Sequence, residues 1–199
     1  EQFPENLYAV FVAVGGGGLI AGIGAYLNKV HPNVKIIGVE AADSAGLYAS
    51  ISAGKRVKLK EVGLFADGAA AKQIGKNNYE LIKNFLDDSI TVDTDEICAA
   101  VKDTFLETRT VPEPTGALAL AGLKKYISQK RIKNKNLIAT YCGSNLNFES
   151  LGHIVERSKI GEKKEIILSI AIDEKKGSFR KLCRDIGQKN ICLLYTSDA

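Results

Sequence analysis

Four consecutive glycines, Gly15 to Gly18, follow the apolar run LYAVFVAV (7–14) and lead into GLIAGIGAYLNKV (18–30), where small and apolar residues recur at helical spacing. The first run reads as a nearly continuous buried strand, the kind found in a parallel sheet covered on both faces. A strand that passes into a helix through backbone without side chains leaves few architectures open. Each glycine in a regular element costs about 0.5–1 kcal/mol against alanine, and a tight turn needs only one or two. Four together indicate that something approaches the main chain closely. Backbone N–H groups at a helix start, reinforced by the helix dipole, make an anion site without any basic side chain. The loop is therefore read as a phosphate cradle.

The remainder repeats the alternation of strand and helix. VKIIGVE (34–40) reads as a second strand and SAGLYASISAG (44–54) as a short helix ended by glycine. Residues 55–68 form a connector, and 70–86 hold helical segments around an interrupting Gly75. SITVD (89–93) is a third strand, and Asp93 with Glu96 fits a capping box for a helix over 94–107. GALALAGLKKYI (116–127) is helical, NLIATYC (136–142) a fourth strand and FESLGHIVERSKI (148–160) a closing helix. The fold class expected is α/β, an open parallel twisted sheet flanked by helices. One domain is expected over 1–162. After a charged linker, IILSIAID (166–173) and GSFRKLCRDI (177–186) predict a strand and helix that begin a second module over 163–190, with 191–199 an unplaced tail.

Charge is balanced, with 27 basic and 23 acidic residues and a net charge of +4, and the one dense basic run, Lys124 to Lys135, is broken by apolar residues. That run reads as a solvated helix end, so no nucleic-acid partner is expected. No apolar run approaches the ~18 residues of a membrane helix, and no membrane association is expected. The four cysteines (98, 142, 183 and 192) lack the close pairs of a zinc or redox motif, which favours a reduced, cytoplasmic setting. His31 and His153 read as isolated histidines. With no methionine anywhere and an opening of EQFPENLYAV, the chain reads as a piece of a longer protein.

Which phosphate the loop holds is open on these grounds. Gly16 to Ala21 matches G-x-G-x-x-[GA], and Glu40 stands at the end of the next strand, where a dinucleotide-binding fold places its ribose carboxylate. A nicotinamide-dependent oxidoreductase follows from that match. A second strand end, YCGSNLNF (141–148), delivers Cys142, Gly143, Ser144 and Asn145 to the same sheet edge. VPEPTGALALAG brings Glu113 to a helix start between two prolines.

Six segments in order, GGGGLIAG, GVEAADSAGLYASISAG, VGLFADGAAAKQIG, ITVDTDEICAAVKD, EPTGALALAGLKKY and CGSNLNF, resemble biosynthetic threonine dehydratase (threonine ammonia-lyase), a family of fold-type II pyridoxal-phosphate enzymes. The resemblance runs from about residue 8 to 187. It implies pyridoxal 5′-phosphate as cofactor, conversion of L-threonine to 2-oxobutanoate and ammonia, and a place at the first step of isoleucine biosynthesis. By the same resemblance the amides of Gly15, Gly16, Gly17, Gly18 and Leu19 bind the cofactor's phosphate. Cys142 faces the pyridine nitrogen, where the nearest relatives usually carry serine, while Gly68 and Glu113 line the pocket. A thiol of ordinary pKa, about 8.5, is mostly neutral at pH 7 and makes a weaker electron sink than a carboxylate partner would, which favours prompt β-elimination. Asn145 and Asn147 are expected to secure loop backbone. Some relatives bind a cation with carboxylates in the segment matching Glu40 to Gly46; Gly46 stands at the second such position, so no metal is expected.

The family's cofactor-bonding lysine belongs to a motif S-F-K-x-R-G-A, which nothing here matches, SQKRIKN (128–134) included. The lysine is therefore expected outside this chain, no catalytic residue is assigned within it, and the chain alone is expected to be inactive. Residues 163–190 resemble the start of an ACT-like regulatory domain. The resemblance implies isoleucine as allosteric inhibitor of the parent protein and a homotetrameric parent. Three alternatives stand beside this reading: a serine or other hydroxy-amino-acid dehydratase, the oxidoreductase above, and a non-catalytic amino-acid sensor.

Overall fold

The computed structural model describes residues 6–166 and 168–188. The chain divides into two compact units with the break after Ile166.

In the first unit, β1 (Leu7–Ala13), β2 (Lys35–Ala41), β3 (Leu86–Val92) and β4 (Asn136–Ala139) form one parallel sheet in the order β3-β2-β1-β4. The two central strands bury alternate side chains on opposite faces, as the period of two requires. Ala9, Phe11 and Ala13 of β1 join Ile37 and Val39 of β2 in one core, under α4 (Thr94–Thr108), α5 (Pro114–Lys130) and α6 (Ser150–Gly161). Val10, Val12 and Val14 join Ile36 in the other, with Ile20 and Leu27 of α1 (Gly18–Val30), Leu47 of α2 (Gly46–Ser52) and Ile82 of α3 (Lys76–Ile82). Burial on both faces explains why β1 reads as an unbroken apolar run.

Local chemistry sets the helix starts. α4 begins at the expected capping box: the Asp93 carboxylate accepts the Glu96 N–H at 2.8 Å, and Glu96 Oε2 accepts the Asp93 N–H at 2.9 Å. α5 begins at Pro114, whose missing N–H costs nothing in the first turn. Its Gly122 lets the helix lie against the sheet, since a Cβ there would stand 2.4 Å from Val39 Cγ2.

Four expectations need correction. The helical segment expected before Gly75 does not form; α3 starts after it. Residues 70–75 instead spend their backbone groups on other loops, Lys72 accepting the Leu59 N–H at 2.8 Å and Gly75 donating to the Gly16 carbonyl at 3.1 Å. β3 starts at Leu86, three residues early. As an edge strand it tolerates Asp87 and Asp88, and Asp87 Oδ2 also accepts the Ile36 N–H at 2.8 Å. The basic run from Lys124 is not wholly solvated. Lys124 pairs with Asp103, and Lys125 Nζ reaches Glu96 Oε2 and the Thr91 carbonyl, each at 2.9 Å, tying α5 to α4 and β3. The strand expected over 166–173 is absent among the described residues. A strand leaves its N–H and C=O groups without partners unless another lies beside it.

In the second unit, α7 (Ser178–Ile186) forms as expected and buries none of its residues. Cys192 and the tail over 191–199 lie outside the described residues.

Candidate functional site

The last sheet bond before the glycine loop runs from the Val14 N–H to the Val39 carbonyl at 2.9 Å. Each glycine beyond it meets a different surrounding. A Cβ on Gly15 would stand 2.9 Å from the Ala69 Cα, so the Asp67–Ala69 turn closes directly onto this backbone. The Gly16 carbonyl accepts the Gly75 N–H at 3.1 Å and the Asn78 side-chain amide at 2.7 Å, which fastens the loop to α3. Gly17 caps α1 with φ of +84° and packs on Ile74, a conformation that an L side chain adopts only with strain. A Cβ on Gly16 or Gly18 would meet nothing within 4 Å. The loop thus presents bare backbone to open space at the start of a 13-residue helix with no side-chain cap and no acidic residue in its first turn. Leu19 is half-exposed beside it.

β4 lies beside β1, so residues 140–145 emerge at the same edge. The Thr140 N–H donates to the Phe11 carbonyl at 2.9 Å, and the Ala13 N–H to Thr140 Oγ1 at 3.4 Å. Cys142 follows, half-buried against the core. Burial first, and the Glu113 carboxylate second, push its thiol above the ordinary value and keep it neutral at pH 7.

Glu113 organises the neighbouring wall. It stands at the N-cap of α5, its N–H donates to the Gly143 carbonyl at 3.2 Å, and its Oε2 accepts the Asn145 N–H at 3.1 Å. Gly143, with φ of +86°, leaves room for Glu113 Oε1, which would lie 2.4 Å from a Cβ at that position. Gly116, two residues into α5 from Pro114, backs onto the Cys142 carbonyl. Gly68 faces the same helix start: a Cβ on it would come 3.1 Å from Thr115 Oγ1 and 3.3 Å from Glu113 Oε1. Thr115 is 8% exposed, and its hydroxyl has no hydrogen-bond partner. Gly15, Ala69, Gly68, Glu113, Gly143 and Cys142 therefore follow one another by contact along one sheet edge.

Glu40 is elsewhere. It is fully buried, and its two carboxylate oxygens accept the Leu47 and Tyr48 N–H groups at 2.7 Å each, so it serves as a cap for α2. Burial raises its pKa to about 7. The nicotinamide reading thereby loses its ribose-binding acid. Asn147 Oδ1 accepts the Glu149 N–H at 3.1 Å, while Asn145 is tied through its own backbone. His153 is exposed, with its ring edge-on to Phe65 at 6.0 Å. Sequence reasoning missed Ala69, Asn78 and Thr115. Thr115 lies within the EPTG segment, but nothing local to it signals a buried hydroxyl without a partner.

Three comparisons bear on this arrangement. Residues 1–143 match the family model described as pyridoxal-phosphate dependent enzyme. The chain is 48% identical over 190 residues to the biosynthetic L-threonine dehydratase of Escherichia coli K12, covering 96% of this chain and 37% of that protein. It is 45% identical over 191 residues to the chloroplastic biosynthetic threonine dehydratase of Arabidopsis thaliana, covering 96% of this chain and 32% of that one. Among solved structures, the processed form of threonine deaminase isoform 2 from Solanum lycopersicum superposes with a TM-score of 0.77 at 39% identity, over 78% of this chain and 45% of that one. The chain thus spans less than half the length of these relatives.

Proposed function

Since this chain belongs to the pyridoxal-phosphate-dependent enzyme family, we propose that it forms the phosphate-binding side of an active site that dehydrates and deaminates L-threonine to 2-oxobutanoate and ammonia. The observation that carries the reading is the side-chain-free loop at the start of α1. Gly16 and Gly18 open onto empty space and no carboxylate competes for the first-turn amides. A phosphate fits such a cradle, and a Cβ at either glycine would enter it.

The other wall fits the rest of the group. Pyridoxal phosphate, when bound, supplies an electron sink for the substrate's α-carbon. Cys142 offers a neutral thiol where the resemblance places the ring nitrogen, and Glu113 maintains that neutrality by opposing a second negative charge. Gly68 keeps its wall free of a side chain. Binding by Gly15, Gly16, Gly17, Gly18, Leu19, Gly68, Glu113 and Cys142 is part of this proposal.

The reading extends to the whole protein: isoleucine as inhibitor acting through an ACT-like region that begins near residue 163, a homotetramer, and an aqueous, cytoplasmic setting. The break after Ile166 and the resemblance of 166–187 support the regulatory assignment. Among the described residues no helix is long and apolar enough to cross a membrane. The test is titration of the purified chain with pyridoxal phosphate, followed by absorbance. Saturable binding that inorganic phosphate displaces, and that Gly16→Val abolishes, is expected. Binding indifferent to both would overturn the assignment.

A further inference from the structure

The unpartnered hydroxyl of Thr115 is the observation in this structure that the proposed site leaves unused. It is more than nine-tenths buried and belongs to the second residue of a 17-residue helix. Buried hydroxyls are normally satisfied, because leaving one unmade forfeits its hydration without return. Many threonines inside helices resolve this by bonding back to a carbonyl one turn earlier, as Thr104 does here to Ala100 at 2.8 Å. Thr115 cannot do so, since the helix begins at Pro114 and there is no turn behind it. Its Oγ1 instead faces Gly68, where a Cβ would stand only 3.1 Å from the oxygen, closer than ordinary contact. A side chain at 68 would press on that hydroxyl. Glu113 Oε1 lies 3.3 Å from the same Cβ position, so two oxygens converge on one space beside the Cys142 segment.

We propose that Thr115 is a ligand-binding residue, its hydroxyl completing a hydrogen bond to the ring end of the cofactor held between Gly68 and Cys142. The proposal rests on the assignment of this pocket to pyridoxal phosphate. A hydroxyl both donates and accepts, so it serves a neutral heteroaromatic ring without adding charge beside Glu113.

The test compares Thr115→Val, which keeps the shape and removes the hydroxyl, with Thr115→Ser, which keeps the hydroxyl. Pyridoxal phosphate and inorganic phosphate are each titrated into the purified chain, and the ligand-free denaturation midpoint is measured for each variant. The valine variant is expected to bind pyridoxal phosphate about tenfold more weakly, the size of one lost hydrogen bond. Its affinity for inorganic phosphate should be unchanged, because the glycine loop is intact. The serine variant should lie within about twofold of the parent. The ligand-free midpoint of the valine variant should not fall, since an unsatisfied buried group has been removed. Unchanged pyridoxal phosphate affinity in Thr115→Val overturns the role of Thr115 while leaving the pocket's assignment intact. Failure of the parent chain to bind pyridoxal phosphate at all overturns the assignment itself, and this role with it.

Discussion

Glu40 and Leu47 form a buried cap: the carboxylate at the end of β2 accepts the first-turn N–H of Leu47 in α2 at 2.7 Å, and Tyr48 donates to its second oxygen at the same distance. The N–H groups favour the charged form, but burial outweighs them and lifts the pKa to about 7. A folded-state pKa above the unfolded value means that the native state holds the proton more tightly. This contribution to stability is complete at low pH, declines above the ordinary carboxyl value near 4.5, and is lost once pH passes about 7. The loss is on the order of 2–4 kcal/mol. Denaturant midpoints measured from pH 5 to 8 should fall in the parent chain and fall much less in Glu40→Gln. Equal slopes would show that another group governs the titration.

The four glycines should respond differently to alanine. Gly16→Ala and Gly18→Ala meet no neighbour and should leave ligand-free stability within about 1 kcal/mol, yet lower phosphate affinity by intruding on the opening. Gly17→Ala forces a Cβ into a left-handed residue against Ile74 and should cost about 1–3 kcal/mol. Gly15→Ala drives a Cβ into the Ala69 backbone and should weaken stability and phosphate binding together. Thermal midpoints with and without phosphate separate the three patterns. Uniform behaviour across the loop would refute them.

Replacing Glu113 with glutamine keeps an oxygen for the Asn145 N–H and removes the charge that holds up the Cys142 thiol. Alkylation of Cys142, read peptide by peptide by mass spectrometry across pH, should shift to lower pH in Glu113→Gln. Because burial is the larger cause, the thiol should still titrate above its ordinary value. A profile that stays in place or moves upward argues that Glu113 does not act on the sulfur.

Asp93 and Glu96 cap α4 reciprocally, and Glu96 also holds Lys125 at 2.9 Å. Asp93→Ala should cost about 1 kcal/mol. Glu96→Ala should also loosen α5, and the double variant should lose less than the two single losses combined, since each removes the other's partner. Urea midpoints of the three variants give the comparison, and strict additivity would contradict a shared cap.

The features legible in sequence are those whose causes lie within a few residues. The buried strand 7–14, the helix 18–30 and the capping box at Asp93 depend on local periodicity and on hydrogen bonds within one turn, and each appears where the sequence places it. The glycine loop is legible for the same reason, because a run of residues without side chains shows directly where backbone must be bare. Tertiary structure alone decided what each loop faces. The order β3-β2-β1-β4 sets Cys142 beside the strand that feeds the glycines, although 124 residues of chain lie between Gly18 and Gly143. Packing turned Glu40 inward onto α2, away from any ribose, and brought Gly68 against Thr115. It also left 166–173 without a partner strand among the described residues. Such outcomes depend on which groups meet across long loops, and local composition does not encode those encounters; burial and the satisfaction of backbone hydrogen bonds select them once the sheet has formed.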